Sequence, residues 1–294
     1  MDWQMRLIIL YVFICEQFQN DLWSYCQRFT NNNKPKFTDE EVITIFLYGI
    51  MQRRFEIKTV YNYTANHLSD WYPNLPSYEA FVQRLNRLSE VFPVLLERIL
   101  DRFSGTGLLP NIRLIDSFPV VMANAKRSSC AKVADEFANK GYCASKNLWY
   151  YGVKVHILGI KRTGTLPLAD FIGITKASDH DLNAFRQIAP SLGNCQLFAD
   201  MAYIDELEKQ LLKEQGTEIH TPVKKKKGQK FLEFFDQLFS TGVSRVRQPI
   251  ESLFNWIQEK TNIQIASKVR SYNGLMIHIF GRLTAAMFMM VFNS

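Results

Sequence analysis

The sequence predicts an α+β / α/β protein, with a mixed five-stranded sheet flanked by helices and preceded by an all-helical N-terminal domain. Three observations predict it. Apolar residues recur at three- and four-residue spacing through the first hundred positions. A Ser104-Gly105-Thr106-Gly107 break follows. Beyond it, short apolar and β-branched runs alternate with helical stretches. The expected division is a helical domain over 1–105 and a sheet-bearing domain over 106–294.

The helices come first. Leu7–Phe29 and Asp39–Phe55 carry helical apolar spacing, separated by the polar connector Asn31-Asn32-Asn33-Lys34-Pro35. Thr38 ahead of Asp39-Glu40-Glu41 is a helix start, because acids in a first turn face the positive end of the helix dipole. A third helix covers about Lys58–Asp70, and Tyr72-Pro73-Asn74-Leu75-Pro76 ends it. Ser77 caps Tyr78–Leu88, which leads into Val91–Phe103. On that capped helix Phe81, Leu85 and Leu88 face a core while Arg84 and Arg87 face outward. The pattern is compatible with a helix-turn-helix that meets DNA, and equally with a solvated face.

The strands follow. Arg113–Val120 is a short apolar run with Asp116 inside it, and Asn147–Ile160 is long, aromatic and β-branched. After the turn Lys161-Arg162-Thr163-Gly164 comes Leu166–Thr175. His180–Ile188 reads as a helix, with His180 and Asp181 favoured as its cap. Cys195–Ala199 is a buried strand ended by Asp200, Ile204–Gln215 a helix and Glu218–Pro222 a strand. Lys224–Lys227 is a basic loop, and helices occupy the remainder from Gln229. Hairpin-length links among the early strands predict antiparallel pairing, and helices between the later ones predict parallel additions.

Bulk properties narrow the class. A chain of 294 residues with 47% hydrophobic and 13% aromatic residues has ample core material, which argues against disorder. Of the formal net charge of +7, residues 1–105 carry −1 and residues 106–294 carry +8. A basic domain favours a polyanionic partner. Five scattered cysteines, none in C-x-x-C spacing, suit a reducing cytosol and small buried side chains. Neither apolar run reads as a membrane span. Leu7–Cys15 runs straight into Glu16 and Gln17, and Leu275–Phe292 contains His278, Gly281 and Arg282. The expectation is a soluble cytoplasmic protein.

Three carboxylates stand in apolar surroundings. Asp116 lies within Leu114-Ile115-Asp116-Ser117-Phe118, where a charge is unfavourable unless paired or metal-bound. Asp200 ends a buried strand, the position at which α/β sheets carry functional groups. Glu251 sits beside the stripe Ile250, Leu253, Phe254 and Ile257, facing the sheet more than the solvent. Singly, each has an ordinary reading: a strand-end acceptor, a helix cap, an edge residue. Jointly, two aspartates and a glutamate suit a pair of hard divalent cations ~3.5–4 Å apart, which promote phosphodiester chemistry.

At these residues the chain resembles a known family, the DDE-type insertion-sequence transposases, and most closely the branch named after insertion sequence 982. The matching segments are Ile115-Asp116-Ser117, Tyr151-Gly152-Val153-Lys154-Val155-His156, Ser178-Asp179-His180-Asp181, Phe198-Ala199-Asp200-Met201-Ala202-Tyr203 and Arg247-x-x-x-Glu251. They span about residues 110–260, with the N-terminal helices matching more loosely. The resemblance implies a ribonuclease-H-like fold with Asp116, Asp200 and Glu251 as a catalytic, metal-binding triad for two Mg²⁺ or Mn²⁺ ions. It implies double-stranded DNA as partner, at terminal inverted repeats and target, and a homodimer or larger assembly on it. Arg247 matches an arginine that contacts DNA phosphate in relatives. The chain departs from some relatives in carrying Ser244 where they have tyrosine and Gln258 where they have lysine, with Lys260 nearby. Asp200 and Glu251 are 51 positions apart, which leaves no room for a large insertion domain.

Further DNA contacts are expected from Lys154, which shares a strand face with His156, and from Lys224, Lys225, Lys226 and Lys227, whose bland alternative is a solvated loop. Two other functions compete with transposition: a ribonuclease-H-like nuclease without strand transfer, and an inactive relative that only binds DNA.

Overall fold

The computed structural model describes residues 2–26, 28, 35–103, 107–144, 146–203 and 205–292. The connector expected at 31–34, the break expected at 104–106, the end of the first predicted helix at Phe29, and Ile204 lie outside them. The chain forms two units. One comprises 1–103, 257–263 and 269–294, and the other 104–256 and 264–268.

The first unit is helical. Its first pass through the chain gives α1 (Trp3–Asn20), α2 (Asp39–Met51), α3 (Ile57–His67), α4 (Tyr78–Arg87) and α5 (Val91–Asp101). Thr38 starts α2 with a capping box: its hydroxyl accepts from the Glu41 N–H, and the Glu41 carboxylate accepts from the Thr38 N–H. Ser77 accepts from the Ala80 N–H at the start of α4. The first helix stops at Asn20, and a 3₁₀ turn, Leu22–Cys26, follows in place of the continuous helix expected. Asn20 and Asp21 are poor helix interior residues, and the Asp21 carboxylate is held by Arg98. The unit is completed from the far end of the chain by an apolar run of α9 (Tyr272–Met276), a π turn (Ile277–Gly281) and α10 (Arg282–Phe292). Its Gly281 lies against Phe46 and Phe92, its Phe288 ring meets Phe13 at a tilt, and its Thr284 hydroxyl donates to the Phe92 carbonyl. The run Tyr272–Phe292 is long and apolar enough to cross a membrane, yet 78% of it is buried inside the unit, which makes it a core helix.

The second unit is built on β1 (Leu108–Asn124), β2 (Asn139–Cys143), β3 (Leu148–Arg162), β4 (Leu168–Lys176), α6 (Asp181–Ile188), β5 (Gln196–Phe198), α7 (Glu206–Glu214) and β6 (Glu218–His220). From Phe234 the long helix α8 (Phe234–Thr261) follows. Among the described residues the sheet has six strands, one more than expected. It runs β2-β3-β1-β5-β6, with β4 also pairing β3. The additional strand is β2, whose Asn-Lys-Gly-Tyr-Cys sequence lacks apolar alternation and is held by main-chain pairing to β3. β1, β3 and β4 pair antiparallel, and β5 joins β1 in parallel with Leu114 opposite Phe198. The early-antiparallel, late-parallel order is as expected.

Side chains alternate across β1. Ile115 faces a core made with Phe185 and Ile188 of α6, Leu197 of β5, and Leu212 of α7. Phe118 faces the opposite way and meets Phe254 of α8, ring centroids 4.9 Å apart. Ile250, Leu253 and Ile257 of α8 are fully buried, so the apolar stripe read from the sequence is the stripe the helix buries.

Candidate active site

Strand alternation puts Asp116 on the same face of β1 as Phe118, the face covered by α8. The parallel register places Leu114 beside Phe198. Two residues on, Asp116 still lies in β1, while Asp200 lies two residues past the last pair of β5. Adjacent strands run ~4.8 Å apart. The β5 ladder ends at Phe198, and the chain turns into the short helix Met201–Tyr203. There the Asp200 carboxylate accepts from the Met201 N–H at 2.7 Å. The N-cap of α7 is Asp205, so Asp200 does not serve that helix.

Arg247 and Glu251 come from α8, one turn apart on one side of the helix. The Arg247 guanidinium donates to Asp116 Oδ2 at 3.0 Å and to Glu251 Oε1 at 3.1 Å. It thus bridges a carboxylate of the sheet and one of the helix. The side chains of Arg247 and Asp116 are 16% and 20% exposed, whereas Glu251 is 53% exposed. Glu251 is more open to solvent than its place beside the apolar stripe suggested. Burial pushes the Asp116 carboxyl up to about 6, and the nearby Glu251 and Asp200 charges push in the same direction. Arg247 and the Ser117 N–H act against that shift. Two carboxylates therefore share one guanidinium, and the charge of Asp200 also acts on Asp116. Among the described residues no three carboxylate, histidine or cysteine side chains stand in ligating arrangement, and the guanidinium of Arg247 holds both Asp116 and Glu251. The oxygen donors themselves suit a hard divalent cation.

Behind Asp116, on the other face of the sheet, lies a buried hydrogen-bond network that the sequence did not reveal. His156 Nδ1 meets the Tyr203 hydroxyl at 3.1 Å and His156 Nε2 meets the Thr175 hydroxyl at 2.8 Å. Tyr203 also bonds the Ser117 side chain, next in sequence to Asp116. Burial lowers His156 to about 4, so its ring is neutral. Alternation along β1 and β3 places Ser117 and His156 on this face, and their register pairs them directly. That pairing was the one signal by which the sequence could have exposed the network.

The remaining expected cations fall at varied places. Lys154 reaches Asp181 at 2.6 Å and the Asp179 carbonyl, and is largely buried. His180 caps α6 by accepting from the Leu182 N–H, as expected. Lys224, Lys225, Lys226 and Lys227 are exposed, with Lys225 donating to the Lys230 carbonyl at 3.0 Å. In the helical unit Arg87 is exposed. Arg84 does not face outward as its helical phase suggested. It clamps Asp39 through Nε at 2.6 Å and Nη2 at 2.5 Å and donates to the Cys26 carbonyl. Lys260, in the same unit, pairs with Glu259 at 3.3 Å.

A mixed sheet with antiparallel early strands, parallel later ones and flanking helices, carrying acids at the ends of β5 and along β1, is a ribonuclease-H-like architecture of the DDE type. The chain belongs to the transposase DDE domain family, whose family model matches residues 106–271. No curated protein and no solved structure matches it.

Proposed function

We propose that this transposase cuts DNA at the ends of an insertion sequence and joins the freed ends to target DNA, as a member of the branch named after insertion sequence 982. The observation that carries this reading is that Arg247 bridges Asp116 and Glu251, with the Asp200 charge close enough to act on Asp116. These three acids would hold two Mg²⁺ or Mn²⁺ ions. Such ions, when bound, activate the attacking oxygen and stabilise the leaving one.

The chain's own groups do the rest. Asp116 is presented by β1, and Asp200 follows directly after β5, the strand paired to it. Glu251, exposed on α8, is the donor that can adjust. Arg247 offsets part of the charge of Asp116 and Glu251, and its planar fork also suits a DNA phosphate bidentately. A water oxygen attacks the phosphodiester at the element's end, and the P–O3′ bond breaks to leave a 3′-hydroxyl. That hydroxyl attacks a target phosphodiester in line, exchanging one P–O3′ bond for another. Lys224, Lys225, Lys226 and Lys227 add salt-sensitive phosphate contacts. The protein works as a dimer or larger assembly pairing two ends, in the cytoplasm and on the nucleoid.

The test is cleavage of a labelled duplex bearing the element's end, in Mg²⁺, Mn²⁺ or EDTA, by wild type and Asp116→Asn. Metal-dependent nicking at the end, absent in the variant, is the expected result. Cleavage that survives Asp116→Asn would place the active site elsewhere, and tight binding without cleavage in either metal would favour a DNA-binding relative.

A further inference from the structure

Helix α8 buries one stripe and leaves another bare. Phe234, Leu238, Thr241, Arg245, Gln248 and Ser252 recur at spacings of four and three, so they share a single face about 27 Å long. At its N-terminal end the apolar side chains are open to solvent: Phe231 is 79%, Phe234 75%, Phe235 80% and Leu238 60% exposed. Isolated exposed apolar residues are ordinary, but a contiguous group of this size marks a contact surface. Immediately before it come the exposed Lys224–Lys227 and Lys230.

At the other end, the same face forms one wall of an open cleft of about 630 Å³. The opposite wall is the turn between β3 and β4. Lys161, Arg162, Thr163 and Thr165 from the turn, with Arg245 and Ser252 from α8, supply three cations and three hydroxyls, and no carboxylate among the described residues lines the cleft. Gly164 at the tip of the turn has φ +69° and open space around it, so the backbone is turned back to expose its neighbours. By helical phase Asp236 and Glu251 fall off the face, which is therefore free of acids from Phe234 to Ser252.

We infer that the exposed face of α8 and the β3–β4 turn form a track for unpaired DNA, with phosphates at Lys161, Arg162 and Arg245 and bases stacked on Phe231, Phe234 and Phe235. Cations at both ends with aromatic rings between them is the arrangement that single strands favour, since every base offers a π-face while the backbone needs neutralising. A second copy of the chain is the poorer occupant, because two-fold pairing of this face would bring one lysine-rich end against like charge. The inference rests on the reading of the chain as a DNA-acting transposase. It assigns the strand a path beside Glu251 that is separate from the acids themselves.

The test uses full-length protein carrying Asp116→Asn, in EDTA, so that no chemistry intervenes. Fluorescence anisotropy gives Kd for a labelled 20-nucleotide single strand (about 20 being ample for such a track) and for the matching duplex, over a range of salt. Phe234→Ser/Phe235→Ser is expected to weaken single-strand binding about tenfold or more while changing duplex binding little. Lys161→Gln/Arg245→Gln is expected to flatten the dependence of log Kd on log salt by about 1.4, two phosphate contacts on a single strand. Both pairs are surface groups, and equal melting temperatures check that the variants fold. Phe231→Ser, ahead of the helix, repeats the test if the phenylalanine pair does not. Unchanged single-strand affinity in both variants overturns the inference. So does a phenylalanine variant that binds DNA normally but converts a dimer to a monomer in sedimentation. If the parent protein binds neither strand nor duplex, the transposase reading itself fails.

Discussion

Asp116 is held at a cost in its charged form. Its carboxyl is raised from 3.8 to about 6, so the folded chain binds the proton more tightly than the unfolded chain. Stability therefore falls as pH rises through that window, and at pH 7 the ionised group opposes folding by about 3 kcal/mol. In metal-free protein Asp116→Asn is expected to raise the urea midpoint at pH 7 while abolishing cleavage, the gain vanishing below about pH 4. An unchanged midpoint would mean Arg247 compensates the charge fully. His156 works in the opposite sense. Its ring is lowered from 6.5 to about 4, so its contribution is complete above 6.5 and is lost as pH falls toward 4, by about 3 kcal/mol. His156→Gln should flatten the pH dependence of the midpoint between these values, and an unaltered slope would refute it. Asp116 and Asp200 stood out in the sequence as candidates because a charge amid apolar neighbours is conspicuous. Arg84 was misread, since helical phase puts it outside, and only the fold reveals Asp39 waiting for it.

At the scale of the element, two positions are sensitive for different reasons. The Thr38 capping box satisfies two donors at the start of α2, and Thr38→Ala should cost about 1 kcal/mol in thermal or urea unfolding. Gly152 lies in β3 where a methyl group would run into the Val120 carbonyl oxygen of β1. Gly152→Ala must displace a central strand pair, and a loss of about 3 kcal/mol or of soluble protein is expected, whereas full stability would show that the pairing can yield. The elements themselves were largely readable, because helical and strand periodicities are written in the apolar residues. β1 was read short because Pro110 and Asn111 look like a turn, while the strand passes them through a register shift between Leu109 and Arg113. β2 carries no apolar pattern, and its bonds are main-chain bonds that sequence cannot display. The bare face of α8 was equally hidden. Helical spacing tells which side chains stand together, not whether anything covers them.

Across the whole molecule, the first unit is assembled from both ends of the chain. Phe46 and Phe92 from its first hundred residues close upon Gly281, and Phe13 upon Phe288 and Phe292. Residues 1–103 made alone should consequently remain loosely packed and bind a hydrophobic dye, and a peptide of residues 269–294 should restore order. A fragment that folds fully by itself would contradict this. During synthesis, then, the N-terminal helices leave the ribosome without their core partner and must wait for nearly two hundred residues of sheet and helix to be made. A stop codon at position 269 would spare all three acids and every strand of the sheet, yet leave the opening hundred residues without a centre to fold around. For this chain, a late nonsense mutation is an injury to its beginning.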